Sequence, residues 1–295
     1  MTRWTIGIIG GSGLYAIEAL ADAEWRTVAT PWGEPSDAIL HGRIGTVDVR
    51  FLPRHGRGHR IPPGEVNARA NIDALKRSGC TDILAISSIG SLREELEPGR
   101  FVVVEQFIDR TVARPASFFG TGMVAHVSMA EPVCSRLSAF AGAAVTAAGG
   151  RLAEGATYLA MEGPQFSTRA ESRLFQQWGA DVIGMTAMPE ARLAREAEMC
   201  CALLAFATDY DCWRETGAER SKEALLVEII QHVKAATEVA VTALRGAVAE
   251  LARTAADAPD CACQDALKLG IWSRRDAIAP SEIARLGPLV AKYLG

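Results

Sequence analysis

The sequence predicts an α/β fold in a single domain. Short β-branched runs alternate with longer amphipathic stretches from the first residue to about 250. Neither an internal repeat nor a low-complexity linker interrupts that alternation. Of the 295 residues, 49% are hydrophobic and 22% charged, which supplies a sizeable core and excludes a disordered, collagenous or disulfide-stapled chain. Length alone would also allow two domains.

Thr5-Ile6-Gly7-Ile8-Ile9 is a short unbroken apolar run, the pattern of a strand buried on both faces. Val47 to Leu52 alternates as a half-buried strand does. Apolar residues at helical spacing predict a helix over Glu65 to Arg77, and Asp82 to Ile86 and Phe101 to Val104 return to the strand pattern. Then come a helix over Pro132 to Ala148, a strand over Ala156 to Met161, and helices over Thr168 to Trp178 and Glu190 to Met199. Leu203 to Ala207 is the last expected strand, and Ser221 opens a long helix running towards Arg253. Residues 1–253 form the expected domain. The small, proline-broken stretch Thr254 to Asp260 reads as a linker to a C-terminal appendage, 254–295 in all, with Pro280 to Leu294 helical.

Charge and cysteine usage narrow the class. The 31 Lys+Arg against 35 Asp+Glu leave a net charge of −4, so no basic surplus exists to neutralise nucleic acid or dock on an anionic membrane. Only a few apolar residues precede Gly10-Gly11, too few for a signal peptide or a membrane span. Seven cysteines without regular spacing favour a reducing compartment, so the expected location is cytoplasmic.

Chemistry concentrates near the strand ends. Gly10-Gly11-Ser12-Gly13 turns the backbone sharply after the first strand and can aim amides and the Ser12 hydroxyl at an anion; it can equally be a plain strand-to-helix turn. Pro53 to Arg60 packs three arginines and two histidines into eight residues. Arg54 offers a planar donor fork and His55 an imidazole, a pairing suited to phosphate, against the alternative of a solvated basic loop. Ser87 and Ser88, expected at a third strand end, add hydroxyls. Asp209-Tyr210-Asp211 follows the last strand and brings two carboxylates to the edge where α/β sheets hold ligands. Such a pair can bind an exocyclic amine and protonate a ring nitrogen, or serve only as a turn and helix cap. Cys212 alone beside them makes no metal site. Phe166 can stack on a flat ring, and Met185-Thr186 sets an apolar contact beside a hydroxyl, although either segment also fits core packing.

Several of these segments, taken in order, resemble the S-methyl-5′-thioadenosine phosphorylases, trimeric members of the purine nucleoside phosphorylase superfamily. The resemblance covers roughly residues 4 to 250; its specific segments are Gly7 to Leu14, Arg54-His55-Gly56-Arg57, Gly90 to Glu95, Gln106 to Thr111 and Met129-Ala130-Glu131-Pro132, and its strongest are Glu162-Gly163-Pro164-Gln165-Phe166-Ser167 and Ala207 to Trp213. It implies a central mixed β-sheet flanked by helices and phosphorolysis of methylthioadenosine to adenine and 5-methylthioribose 1-phosphate, a step of purine and methionine salvage. It implies no metal or organic cofactor, with inorganic phosphate as co-substrate and no partner but the small-molecule nucleoside and a homotrimer or a hexamer of two trimers. Ser12, Arg54, His55, Ser87 and Thr186 would surround phosphate, with Ser88 standing where a small apolar residue is more usual. Phe166 and Ser167 would flank the purine, Met185 would lie against the ribose, and Asp209 and Asp211 would face the base edge. His126 looks like the residue lent to the neighbouring subunit's site.

Lys222 and Leu225 fall at the methylthio-pocket positions, where apolar residues are expected, so Lys222 either snorkels away or the helix is shifted by a turn. The rival enzyme reading is a phosphorylase for 6-oxopurines such as methylthioinosine, inosine or guanosine, whose 6-oxo acceptor wants a donor where this chain has the Asp209 carboxylate. A nucleotide-binding or scaffold protein on the same fold is the non-enzymatic alternative. Cys261-Ala262-Cys263 is tight for a low-strain disulfide, and its sequence neighbourhood offers no two further zinc ligands. The resemblance permits a Cys261–Cys263 disulfide, but two ordinary thiols in a mobile tail, without a part in catalysis, are the expectation here.

Overall fold

The computed structural model describes residues 4–11, 20–214 and 260–295, together with 227, 230–232, 234–235, 237–243 and 246 of a helical stretch. Ser12, Lys222 and Leu225 lie outside the described residues. The sheet is mixed, as expected, and contains nine strands in the order β2-β3-β4-β1-β5-β8-β7-β6-β9.

β1 (Thr5–Gly10) is buried along its whole length because parallel neighbours flank it on both sides, β4 (Val47–Pro53) and β5 (Asp82–Ser91). β2 (Ala21–Arg26) and β3 (Ile39–Ile44) extend the sheet beyond β4 as antiparallel edge strands. β6 (Phe101–Asp109), β7 (Leu152–Ala160), β8 (Val182–Gly184) and β9 (Cys200–Asp209) complete it. Because β5 pairs with β8 and also with β9, the strands β5-β8-β7-β6-β9 close into a ring.

Among the described residues, α1 (Ala68–Arg77), α2 (Ser135–Ala147), α3 (Arg169–Gln177) and α4 (Ala187–Glu196) pack around this sheet, and the helical stretch joins the core through Ala240 and Ala243. Local chemistry sets their ends. The Asn67 side chain accepts from the Ala70 amide to start α1, and Thr168 with Glu171 forms a reciprocal capping box on α3. In α4, Met188 precedes Pro189 and is extended (φ −112°, ψ 135°), so regular helix starts only after it, close to the expected Glu190. The helix stops at Glu196, short of the expected Met199, because Glu198 turns into the left-handed region (φ 54°) and β9 begins at Cys200.

The C-terminal segment is not a free tail. Leu267, Leu286, Leu289 and Val290 are buried, and the last three share a hydrophobic cluster with Ile72 and Leu75 of α1. The expected helix Pro280 to Leu294 is divided into Pro280–Leu286 and Ala291–Leu294, since Gly287 takes φ 52° and Pro288 follows it. The expectation that the neighbourhood of Cys261 and Cys263 offers no two further ligands holds along the sequence but not in space. Cys134 and Cys200, remote in sequence, stand next to them. Among the described residues, no helix is long and apolar enough to cross a membrane.

Candidate active site

The carboxylate pair sits where β9 ends. Asp209 is the last residue of that strand, and its register partner across β5 is Gly90. The chain then leaves the sheet through Asp211, whose φ of 49° is rare for a residue with a side chain. Cross-links hold that conformation. The Asp211 amide donates to Asp209 Oδ1 at 2.7 Å, Thr208 Oγ1 donates to Asp209 Oδ2 at 2.7 Å, and Trp213 Nε1 donates to the Ser91 carbonyl at 2.8 Å. Ser167 Oγ lies 2.7 and 2.9 Å from the two oxygens of Asp211 and donates between them. Burial raises the Asp209 carboxyl above its ordinary range; the two hydrogen bonds it accepts pull the other way, and the neighbouring Asp211 charge adds to the rise.

The anion donors meet at a second corner of the same edge. Arg54, the residue after β4, is 2% exposed and donates Nε and Nη2 to the two carboxylate oxygens of Glu190 at 2.7 and 3.0 Å, and Nη1 to the Ile86 carbonyl at 2.8 Å. Burial opposes its charge, and the Glu190 carboxylate more than offsets that. Of the five guanidinium hydrogens, two remain for a ligand. Ser87 Oγ and Thr186 Oγ1 lie 3.3 Å apart, and Thr186, the residue before α4, makes no capping bond to its own helix. Arg54 and Thr186 both line a cavity shared with Pro63, Val66, Ala68 and Arg114. His55 Nδ1 is 2.9 Å from the Ile61 carbonyl. A carbonyl only accepts, so Nδ1 carries the hydrogen and Nε2 is left as an acceptor. Burial pushes this imidazole down to about 4, against the Ile61 bond and helped by the Arg54 charge, so it is neutral at physiological pH.

Ser87 and Ser88 lie inside β5 rather than beyond its end, because pairing with β9 carries the strand on to Ser91. Ser87 is buried; Ser88 is exposed, and its carbonyl accepts from Ser87 Oγ at 3.1 Å. Met185 sits against Gly163, its Sδ filling the space where a side chain at that glycine would begin. Phe166 is 84% exposed, with its ring open to a ligand or a neighbouring subunit. His126 is also exposed, and the structure ties it to the C-terminal segment: its amide donates to the Gly270 carbonyl at 2.8 Å and its ring meets Trp272 edge to face at 4.8 Å.

Three site residues escape the sequence reading. Glu190 orients Arg54. Arg114 is buried, pairs with Glu162 at 2.8 Å and donates to the carbonyls of Met185 and Met188 at 2.6 and 2.8 Å, so it fixes the segment carrying Met185 and Thr186. His232 Nδ1 lies 2.9 Å from the Thr208 carbonyl and docks the helical stretch over the end of β9. Their only sequence signal is residue type, because each partner is far along the chain.

Residues 5–253 match the phosphorylase superfamily. The S-methyl-5′-thioadenosine phosphorylase of Geobacter sulfurreducens is 48% identical, over 98% of this chain and 99% of that one. Its counterpart from Cereibacter sphaeroides is 58% identical over 76% and 77%. Among solved structures, a methylthioadenosine phosphorylase sourced from an antarctic soil metagenomic library superposes with a TM-score of 0.89 at 42% identity, covering 98% of this chain and 99% of that chain. The methylthioadenosine phosphorylase from Schistosoma mansoni in complex with tubercidin gives 0.77 at 37% identity over 84% and 92%. This chain therefore belongs to the S-methyl-5′-thioadenosine phosphorylase family of the phosphorylase superfamily.

Proposed function

We propose that the protein cleaves S-methyl-5′-thioadenosine with inorganic phosphate, giving adenine and 5-methylthioribose 1-phosphate. The observation that carries the reading is the partly buried carboxylate pair at the end of β9, Asp209 held by the Thr208 hydroxyl and the Asp211 amide and Asp211 by Ser167, with the Asp209 carboxyl raised by desolvation. As the bond from the anomeric carbon to N9 breaks, its electron pair moves into the purine and positive charge grows on the sugar. Phosphate held by Arg54, Ser87 and Thr186, with the proposed help of Ser12 and Ser88 and with His55 Nε2 accepting from the hydroxyl of HPO₄²⁻, stabilises that charge and forms the new bond. The Asp209 proton passes to N7 of the leaving base, and Asp211, oriented by Ser167, accepts from the exocyclic amine. Phe166 and Met185 supply the apolar faces for base and ribose, and Leu225 the contact for the 5′ substituent.

The proposed assembly is a homotrimer in which His126 reaches the neighbouring site; two trimers paired as a hexamer would leave that site intact. Bare apolar surface at the site supports it, with Phe166 84% and Val112 83% exposed.

Release of the free base, adenine from methylthioadenosine and adenosine and hypoxanthine from methylthioinosine and inosine, with and without phosphate, tests the reading. Methylthioadenosine is expected to be the best substrate and turnover to need phosphate; release without phosphate would sink the mechanism. Asp209→Ala should lower kcat by about 10²- to 10⁴-fold. The sign of the pH effect follows from the raised carboxyl. Its proton favours the folded protein below the ordinary value of 3.8, and this advantage is lost as pH rises through the raised value. Activity should fall along the same limb, and Asp209→Asn should flatten it.

A further inference from the structure

Cys134 immediately precedes α2, Cys200 opens β9, and Cys261 and Cys263 begin the C-terminal segment. The fold brings all four sulfurs within 4.8 Å of one another, with Cys134 and Cys261 Sγ 3.7 Å apart. All four are free thiols; Cys134, Cys200 and Cys263 are buried, and Cys261 partly so. Cys261 is extended (φ −150°, ψ 140°) and leads directly into a short 3₁₀ turn, Ala262–Asp265, that carries Cys263.

The spacing matches a metal better than it matches sulfur–sulfur bonds. A tetrahedral zinc with bonds of about 2.3 Å separates its sulfurs by about 3.8 Å, whereas a disulfide needs about 2.05 Å. Positive charge stands beside the cluster. Four thiolates around a dication carry a net charge of −2; Arg195 acts on Cys263, and Arg136, which also pairs with Asp82, acts on Cys200. The Nε of each arginine is buried with no partner among the described residues.

We propose that Cys134, Cys200, Cys261 and Cys263 form a tetrathiolate site for one zinc ion, which fastens the C-terminal segment to the phosphorylase core. Each S–H bond gives way to an S–Zn bond, four protons pass to solvent, and nothing is oxidised or reduced. The clip lies on the segment that holds His126. Beyond Cys263 the chain pairs Ile271 with Ala125, accepts from the His126 amide at Gly270, and sets Trp272 against the His126 ring. Zinc would thus order both the fold and the surface offered to a neighbouring subunit.

Elemental analysis and native mass spectrometry of the full-length protein test this, after production in zinc-supplemented medium and purification under reducing conditions without a metal-affinity step. The expected result is one zinc per chain, with a mass gain of one zinc less two hydrogens at equal charge state, released stoichiometrically by a mercurial reagent. Cobalt(II) exchanged into the site should give the visible bands of a tetrahedral thiolate complex. Cys134→Ser, and separately Cys261→Ser with Cys263→Ser, should reduce the zinc content from one to none. Four titratable thiols without metal would overturn the proposal, as would disulfides in place of the metal or equal zinc in the double variant. The wild-type measurement decides even if a variant fails to fold.

Discussion

Arg54 has to remain charged while almost fully buried, and Glu190 makes that tolerable. Truncating one partner strands the other. Arg54→Met should cost about 3–5 kcal/mol of stability, because Glu190 is left buried without its partner. Adding Glu190→Met should recover most of that stability without restoring phosphate use. Arg54→Lys keeps a charge but loses the fork, so KM for phosphate should rise about tenfold or more. Denaturant titration and phosphate kinetics on the three variants separate the two roles, and a double variant with ordinary phosphate KM would remove Arg54 from the site. Sequence reading reaches Arg54 and His55 because arginines, histidines and glycines crowd one short stretch. It misses Glu190 because the pairing spans 136 residues, and nothing local marks a carboxylate for burial.

At the scale of elements, the site depends on β5 and β9 running side by side past the point where their apolar residues end. The apolar pattern locates Ile83 to Ile86 and Leu203 to Ala207 but stops there, because Ser87, Ser88 and Asp209 are polar while their backbones remain in the ladder. The missed strands have physical reasons of their own. β2 is wholly exposed and so has no buried face to impose alternation, β3 starts with two adjacent apolar residues and runs on through His41-Gly42-Arg43 without alternating, and β8 is only three residues long. Gly90 shows how close the packing is where β5, β8 and β9 converge. A Cβ there would stand 3.1 Å from Ile183 Cγ2, 3.2 Å from Asp209 Oδ1 and 3.3 Å from Asp211 Cβ. Gly90→Ala should therefore displace the carboxylate pair, lowering kcat about tenfold or more while phosphate KM stays within about a factor of two. A normal kcat in a well-folded variant would show that the pair tolerates displacement and does not act on the base through fixed geometry.

At the scale of the whole molecule, the alternation of strands and helices makes a single α/β body legible, while closure of the ring and docking of residues 260–295 depend on contacts between segments far apart in sequence. The largest open question at this scale is who completes the site. His126 is exposed and held by the C-terminal segment, and Phe166 is bare at the carboxylate end. Lending of His126 to a neighbour explains both without any rearrangement of the protomer. It makes a prediction that a self-contained site cannot share. His126→Ala and Asp209→Ala proteins should each be weakly active alone. Unfolded together in equal amounts and refolded, they should form mixed trimers in which a site with intact Asp209 sometimes receives an intact His126 from next door. Random mixing gives each of those conditions a chance of one half, so activity should recover to about a quarter of wild type. Sedimentation should show the same trimer or hexamer before and after mixing. No recovery, with the oligomer intact, would place His126 outside the neighbouring site, because a residue serving only its own subunit gains nothing from a partner that carries it.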